Sequence, residues 1–204
     1  MRILLSADFH GDFSRLLSLA TKADLCICCG DLFDYRQLPT RDFRFPMPFY
    51  CVKGNKELWG GEKLQNALES CHNFFWLNQC QEDLEELTGL QFYGIDYMNE
   101  PLTIPDSLDV LISHQPAFGI ADQCRDPFRA KSINHCGSQA VRKLVDQHNP
   151  KFLIAGHVHA YQKQRAGKTF ATTLSPALKH PLAMIIKNEL VIGYHLQQIF
   201  VDKA

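Results

Sequence analysis

The sequence predicts an α/β fold built on two β-sheets, and three observations carry this. The first half alternates apolar runs with an amphipathic helical pattern. The second half is strand-rich, interrupted by one clear helix and closed by a hairpin. Five apolar runs lead directly into metal-binding residue types, which marks them as buried strands whose carboxyl ends gather a site.

Residues 2–7 form the first predicted strand, followed by an amphipathic helix over 13–22 (FSRLLSLATK) and a second strand over 24–29. A polar, Arg- and Pro-bearing loop at 35–46 precedes a third strand at 48–53 and a helix near 61–69. Such alternation implies right-handed crossovers and a mostly parallel sheet. Further strand-like runs stand at 73–77, 90–95, 108–113, 151–155, 169–174, 182–187 and 189–195. The acidic stretch 81–88 (QEDLEELT) is expected to be a solvated turn, and GSQAVRKLVDQH at 137–148 a helix. IIKNELVIGYH reads as a hairpin around its Lys-Asn-Glu break, so short antiparallel strands are expected to complete the second sheet. The stretch 114–136 has no periodicity and is longer than most loops inside a compact domain, and it reads as a loop over the site or, failing that, an irregular surface loop.

The 204 residues, with 46% hydrophobic and 21% charged, have no repeat or linker composition, and residues 1–204 are read as a single domain. A formal net charge of −1 excludes a general electrostatic pull toward nucleic acid or membrane, so any affinity for phosphate is local. No apolar run reaches the length needed to cross a bilayer, about 18 residues. Asp8 and His10 end the first apolar run too early for a secretory signal. Of the eight cysteines, Cys26, Cys28, Cys29 and Cys51 lie in apolar runs, where a thiol behaves as a small hydrophobe. A reduced, cytoplasmic protein accounts for this most simply. CICC at 26–29 lacks a second Cys pair at zinc-finger spacing and reads as buried structural thiols.

The five strand exits carry the chemistry. In ILLSADFHG, Asp8 and His10 are two residues apart and can reach one ion. In LCICCGDLFD, Gly30 permits a sharp turn and leaves both oxygens of Asp31 free to bridge two cations. FYCVKGNKE offers the Asn55 amide oxygen, DVLISHQP offers His114, and FLIAGHVH spaces His157 and His159 like the first pair. Each alone reads as a turn, cap or structural residue. Together they make a set of carboxylate, imidazole and amide donors suited to two divalent transition metals.

The order DFH (8–10), GDLFD (30–34), GNKE (54–57), His114 and GHVH (156–159) resembles the calcineurin-like metallophosphoesterase superfamily, whose pattern is D-x-H, G-D-x-x-D, G-N-H-E/D, a later H, and G-H-x-H. SHQPAFG, and the Gly-Ser helix start before GHVH, resemble its small phosphodiesterase-type branch. The resemblance implies a four-layer α-β-β-α sandwich with two mixed β-sheets and a binuclear centre at their carboxyl rims. It implies one ion on Asp8, His10, Asp31 and His159, and a second on Asp31, Asn55, His114 and His157. Mn, Fe, Zn, Ni and Co all suit these donors.

The implied activity is hydrolysis of small phosphodiesters or phosphomonoesters by a hydroxide held between the ions. Asn55, Lys56 and His114 are the implied catalytic residues. One departure is Lys56, where the superfamily usually has His. Lys56 either places charge and a hydrogen bond beside the phosphoryl group or turns outward. Glu57 is read either as orienting a ligand or as a surface helix-start residue. Asp12 and Asp34 are read as turn or cap residues. Arg36, Arg41, Arg44, Arg125 and Arg129 are candidate phosphate contacts or a solvated face, Lys131 is carried by the loop after His114, and His135 is undecided. His72, His148, His180 and His195 are assigned structural or surface roles. Two other functions stay open: a metal-binding scaffold of impaired activity that recruits a partner protein, and a nuclease, which the near-zero charge disfavours.

Overall fold

The computed structural model describes residues 1–98, 104, 107–125, 133–179 and 182–193. Arg129, Lys131, His180, His195 and the end of the predicted strand 189–195 lie outside the described residues. The strands are β1 (Arg2–Ser6), β2 (Leu25–Cys28), β3 (Arg44–Cys51), β4 (His72–Trp76), β5 (Phe92–Ile95), β6 (Val110–Ser113) and β7 (Gln123–Arg125), followed by β8 (Ile133–His135), β9 (Phe152–Ala155), β10 (Gln162–Ala166), β11 (Thr169–Thr173), β12 (Leu182–Ile186) and β13 (Glu189–Gly193). The α-helices are α1 (Ser14–Leu19), α2 (Asn55–Glu69), α3 (Gln81–Thr88) and α4 (Gln139–His148).

Two mixed sheets form. The first has the order β13-β12-β1-β2-β3-β4 and the second β10-β11-β9-β6-β5. β1, β2, β3 and β4 run parallel, as do β5, β6, β9 and β11. Three apolar clusters separate four layers. Leu4, Cys26, Cys28, Cys51 and Met184 face Leu16 and Leu19 of α1 and Leu64 and Leu68 of α2. Ile3, Leu5 and Ile27 meet Val110, Ile112 and Ile154 between the sheets. Leu111 and Leu153 face Val141, Leu144 and Val145 of α4. Alternate residues of β1 therefore serve two different cores, which is why this strand reads as one continuous apolar run.

The hairpin β12–β13 pairs antiparallel with β1, and so completes the first sheet rather than the second. The second sheet instead takes its antiparallel edge from β10 (QKQRA), which pairs with β11. β10 faces solvent along most of its length and has no apolar signature to announce it. Segment 81–88 is the helix α3 rather than a turn. Leu84 is its buried anchor, and Gly89 (φ 69°) ends it in the left-handed conformation. β3 begins inside the stretch expected to be loop, with Pro46 and Pro48 tolerated near a register shift between Arg44 and Phe49.

α2 begins at Asn55, earlier than its periodicity suggested, and breaks at Gly61 (φ 60°, ψ −163°). The Gly60-Gly61 pair thus separates a short first segment that carries Lys56 and Trp59 from the main helix. The stretch 114–136 contains the hairpin β7–β8. Its register brings Cys124 and Cys136 to a Cα separation of 6.1 Å, within disulfide span, and they are bonded. This departs from the expectation of a wholly reduced chain. The other six cysteines are free thiols, and Cys26, Cys28, Cys29 and Cys51 are buried. Among the described residues no helix is long and apolar enough to cross a membrane.

Candidate metal centre

The carboxyl ends of β1, β2 and β3 face those of β6 and β9, and the loops leaving them carry all seven predicted donors. The chain turns sharply at these exits. Asp8 (φ 53°), His10 (φ 47°), Asp31 (φ 58°), His157 (φ 70°) and His159 (φ 54°) all adopt left-handed backbone, a region that non-glycine residues occupy at a cost. Five of seven donors in this state means that the surrounding fold holds them there. Phe9 shows how: its ring is buried, stacks on Phe13 at 4.7 Å and lies 6.0 Å from Phe49, anchoring the loop between the two flanking donors.

Asp8, His10, Asp31 and His159 form one group, each with a donor atom within 4.8 Å of the others. It is the group of three or more His, Cys, Asp or Glu side chains found close enough to hold an ion among the described residues. His10 Nε2 stands 3.1 Å from His159 Nε2, and His159 Nε2 3.7 Å from Asp8 Oδ1. Asp8 also accepts the backbone N–H of His157 at 3.0 Å, which ties the β1 exit to the β9 exit.

The remaining donors form a second group beside it. His114 Nε2 lies 2.9 Å from Asn55 Oδ1, 3.1 Å from His157 Nδ1 and 3.6 Å from Asp31 Oδ1. His114 Nδ1 lies 2.7 Å from the Cys29 carbonyl and donates to it, which turns the Nε2 lone pair toward the group. Asp31 belongs to the first group and lies 3.6 Å from His114 of the second.

The electrostatics fit cations. Burial, together with His157, holds His114 down at about 3, far below the usual imidazole value. His10, His157 and His159 are also lowered, first by burial and then by charged or basic neighbours. All four imidazoles are therefore neutral at pH 7 and carry free lone pairs. Asp31 is pushed up to about 7 by burial and by Glu57, and Asp8 is raised well above the usual range by burial and by Asp31. Lone pairs and acidic oxygens converge with little positive charge to meet them, an arrangement that divalent ions relieve.

Several neighbours sharpen the picture. Glu57 is fully buried and accepts the backbone N–H groups of Asp31 (2.9 Å), Leu32 (2.8 Å) and Gly54 (2.8 Å). It is not a surface residue, and it locks the Asp31 loop to the Asn55 loop. The Lys56 N–H donates to Asp31 Oδ1 at 2.9 Å, while its ammonium lies 3.6 Å from Asp34. Asp34 also stands 3.6 Å from His10 Nδ1, so it belongs to the rim of the site and not merely to a turn. Tyr97 was not anticipated; its ring lies 5.6 Å from those of His114 and His157. The signal was present, since Tyr97 follows β5 by two residues, as His159 and His10 follow their strands at short distance.

Other candidates fall away. His135 Nδ1 pairs with Asp122 at 2.7 Å, outside both donor groups. Asp12 accepts from the backbone and hydroxyl of Ser14, the first residue of α1, as a turn residue does. Arg41 and Arg44 are exposed, and Arg36 lies over the Tyr35 ring.

Gly54 and Gly30, which join the Asp31 and Asn55 loops, admit no side chain. A Cβ on Gly54 would collide with the Asp31 carboxylate and come within 2.6 Å of its backbone nitrogen. One on Gly30 (φ +92°) would lie 2.5 Å from the Gly54 nitrogen. Gly54→Ala is expected to destabilise the protein by about 2–4 kcal/mol in urea unfolding and to lower metal uptake in parallel. A loss below about 0.5 kcal/mol would mean that the two loops part freely.

The calcineurin-like phosphoesterase family model matches residues 1–161. No curated protein matches the chain. Among solved structures, a dimetal phosphatase from Danio rerio superposes with a TM-score of 0.59 at 14% identity, covering 94% of this chain and 95% of that one. TT1561 of Thermus thermophilus gives 0.58 at 14%, covering 94% and 97%. GAP50, the anchor in the inner membrane complex of Plasmodium, gives 0.57 at 11%, covering 94% and 83%. At these identities the structural likeness is one of fold. The family match spans all five strand exits, and the chain belongs to the calcineurin-like phosphoesterase family.

Proposed function

We propose that the protein is a two-metal phosphoester hydrolase of small phosphodiesters or phosphomonoesters. The observation that carries this reading is the convergence of all seven donors into two adjoining groups sharing Asp31. The fold alone does not choose, since similar folds serve a phosphatase and an anchor. A scaffold has no need of five donors kept in unfavourable backbone conformations.

Asp8, His10, Asp31 and His159 would hold one cation, and Asp31, Asn55, His114 and His157 the other. Bound there, the pair supplies an activated water and neutralises phosphoryl oxygens. The residues contribute position. Cys29 fixes the His114 tautomer, Glu57 fixes the Asp31 loop, and Phe9 fixes Asp8 and His10. Hydrolysis forms one P–O bond from water and breaks the P–O bond to the alcohol, which leaves with a proton. Lys56 would supply a positive charge at the rim, 3.6 Å from Asp34, where it can meet a phosphoryl oxygen.

The test uses metal-stripped protein reconstituted with Mn, Fe, Co, Ni or Zn, assayed on bis-p-nitrophenyl phosphate and p-nitrophenyl phosphate. Two ions per chain and metal-dependent turnover are expected. Stoichiometric binding with no turnover on either ester would assign the chain to the scaffold reading. In the same assay Lys56→Ala is expected to lower kcat/KM by roughly tenfold to a hundredfold. An unchanged rate would place the ammonium outside the reaction.

A further inference from the structure

Arg36, Tyr35, Lys56 and Trp59 form a row of alternating cations and aromatic rings beside the donor groups. The Arg36 guanidinium lies 5.1 Å from the centre of the Tyr35 ring. The Lys56 ammonium lies 5.8 Å from the same ring and 5.4 Å from the Trp59 ring. Lys56 also stands 3.6 Å from Asp34, which stands 3.6 Å from His10, so the row is continuous with the candidate metal centre. Trp59 is 62% exposed and Tyr35 43% exposed.

Isolated exposed aromatics are ordinary. Two of them flanking one half-buried ammonium at the edge of a candidate phosphoester site are not explained by packing. The fold also spends structure to present Trp59. Gly60 and Gly61 break α2 immediately after it, so the ring rides on a short segment that starts at Asn55. The chain's formal net charge is −1, so no general basic surface accounts for the placement of Arg36 and Lys56 here.

Resting on the hydrolase reading, we infer that this row is a nucleotide subsite: a nucleobase stacks on Trp59 and Tyr35 while Lys56 and Arg36 meet its phosphate. The substrate class is then a nucleoside phosphodiester. Aromatic faces accept any base, and interleaved cations follow the phosphates, the combination used wherever single nucleotides are gripped without base-edge readout. A fatty acyl chain would leave the cations unused, and a bare phosphate would leave both rings exposed.

The experiment compares thymidine 5′-p-nitrophenyl phosphate with methyl p-nitrophenyl phosphate, which share a leaving group and differ in the nucleoside. The parent protein is expected to favour the thymidine ester. Trp59→Leu is expected to lower the ratio of the two kcat/KM values about tenfold, and Tyr35→Leu to lower it in the same direction. A ratio unchanged in both variants, with the methyl ester still hydrolysed by the parent, overturns the subsite and leaves the hydrolase reading standing. An equal loss on both esters also overturns it, because the rings would then be serving the leaving group.

A second readout does not need turnover. The chain has two tryptophans, and Trp76 is buried, so quencher-accessible emission reports Trp59. AMP titrated onto the protein in EDTA is expected to quench it, ribose 5-phosphate to leave it unchanged, and Trp59→Leu to abolish the effect. If the parent hydrolyses neither ester, the hydrolase reading falls and this titration alone decides. Quenching specific to AMP keeps the subsite, and its absence removes it.

Discussion

Asp31→Asn is expected to lower kcat/KM by roughly a thousandfold and to reduce bound metal below two ions per chain. The same substitution is expected to raise the melting temperature of the metal-free protein at pH 8 by roughly 5 °C. The two effects share a cause. In the metal-free fold the Asp31 carboxyl is raised to about 7, against an ordinary value of 3.8. A raised carboxyl contributes its full stability only below the unfolded value and loses it as pH rises through the folded value. At pH 8 the parent therefore carries the whole cost of an ionised, buried carboxylate. Asparagine keeps the oxygen that accepts the Lys56 N–H and removes the charge.

His114 behaves in the opposite sense. Its folded value of about 3 lies below the ordinary 6.5, so its contribution is present above 6.5 and is lost as pH falls toward 3. Metal-free parent protein should lose stability on both sides, and added metal should flatten the profile. Thermal melts of both proteins from pH 4 to pH 9, with and without chelator, measure this. An Asp31→Asn protein no more stable than the parent at pH 8 would contradict the cost assigned to the carboxylate.

Glu57→Ala is expected to destabilise the metal-free protein by about 3–5 kcal/mol. Three backbone N–H groups, those of Asp31, Leu32 and Gly54, lose their acceptor inside a region closed to water. Each buried orphan donor costs about 1–3 kcal/mol, partly recovered where water enters. Glu57→Gln should fall between, because one amide oxygen remains while the amide nitrogen faces backbone donors. Urea unfolding in chelator separates this structural effect from metal binding. A change below about 1 kcal/mol would show that the two loops do not depend on the carboxylate.

Glu57 illustrates what was legible in the sequence. GNKE singled it out without deciding between a surface position and a buried one. The decision rests on N–H groups contributed 25 and 26 residues earlier in the chain. The sequence reads Asp34 as a turn or cap residue for the same reason, since its neighbours His10 and Lys56 come from other loops. Helix α3 was missed because its apolar content is small and a single Leu84 holds it. The edge strand β10 was missed because it has almost no buried face.

The sequence by itself determined which residue types capable of binding a cation stand just past the strands. Apolar runs bounded by Gly, Asp, Asn and His are local patterns, and a side chain's affinity for a cation belongs to that side chain. Only the tertiary structure decided which exits meet, that β12–β13 close the first sheet, and that the Lys56 ammonium lies close to both the Trp59 and the Tyr35 rings. Those outcomes depend on how two sheets pack face to face, and packing partners are chosen by shape and burial across the whole chain rather than by any short stretch of it.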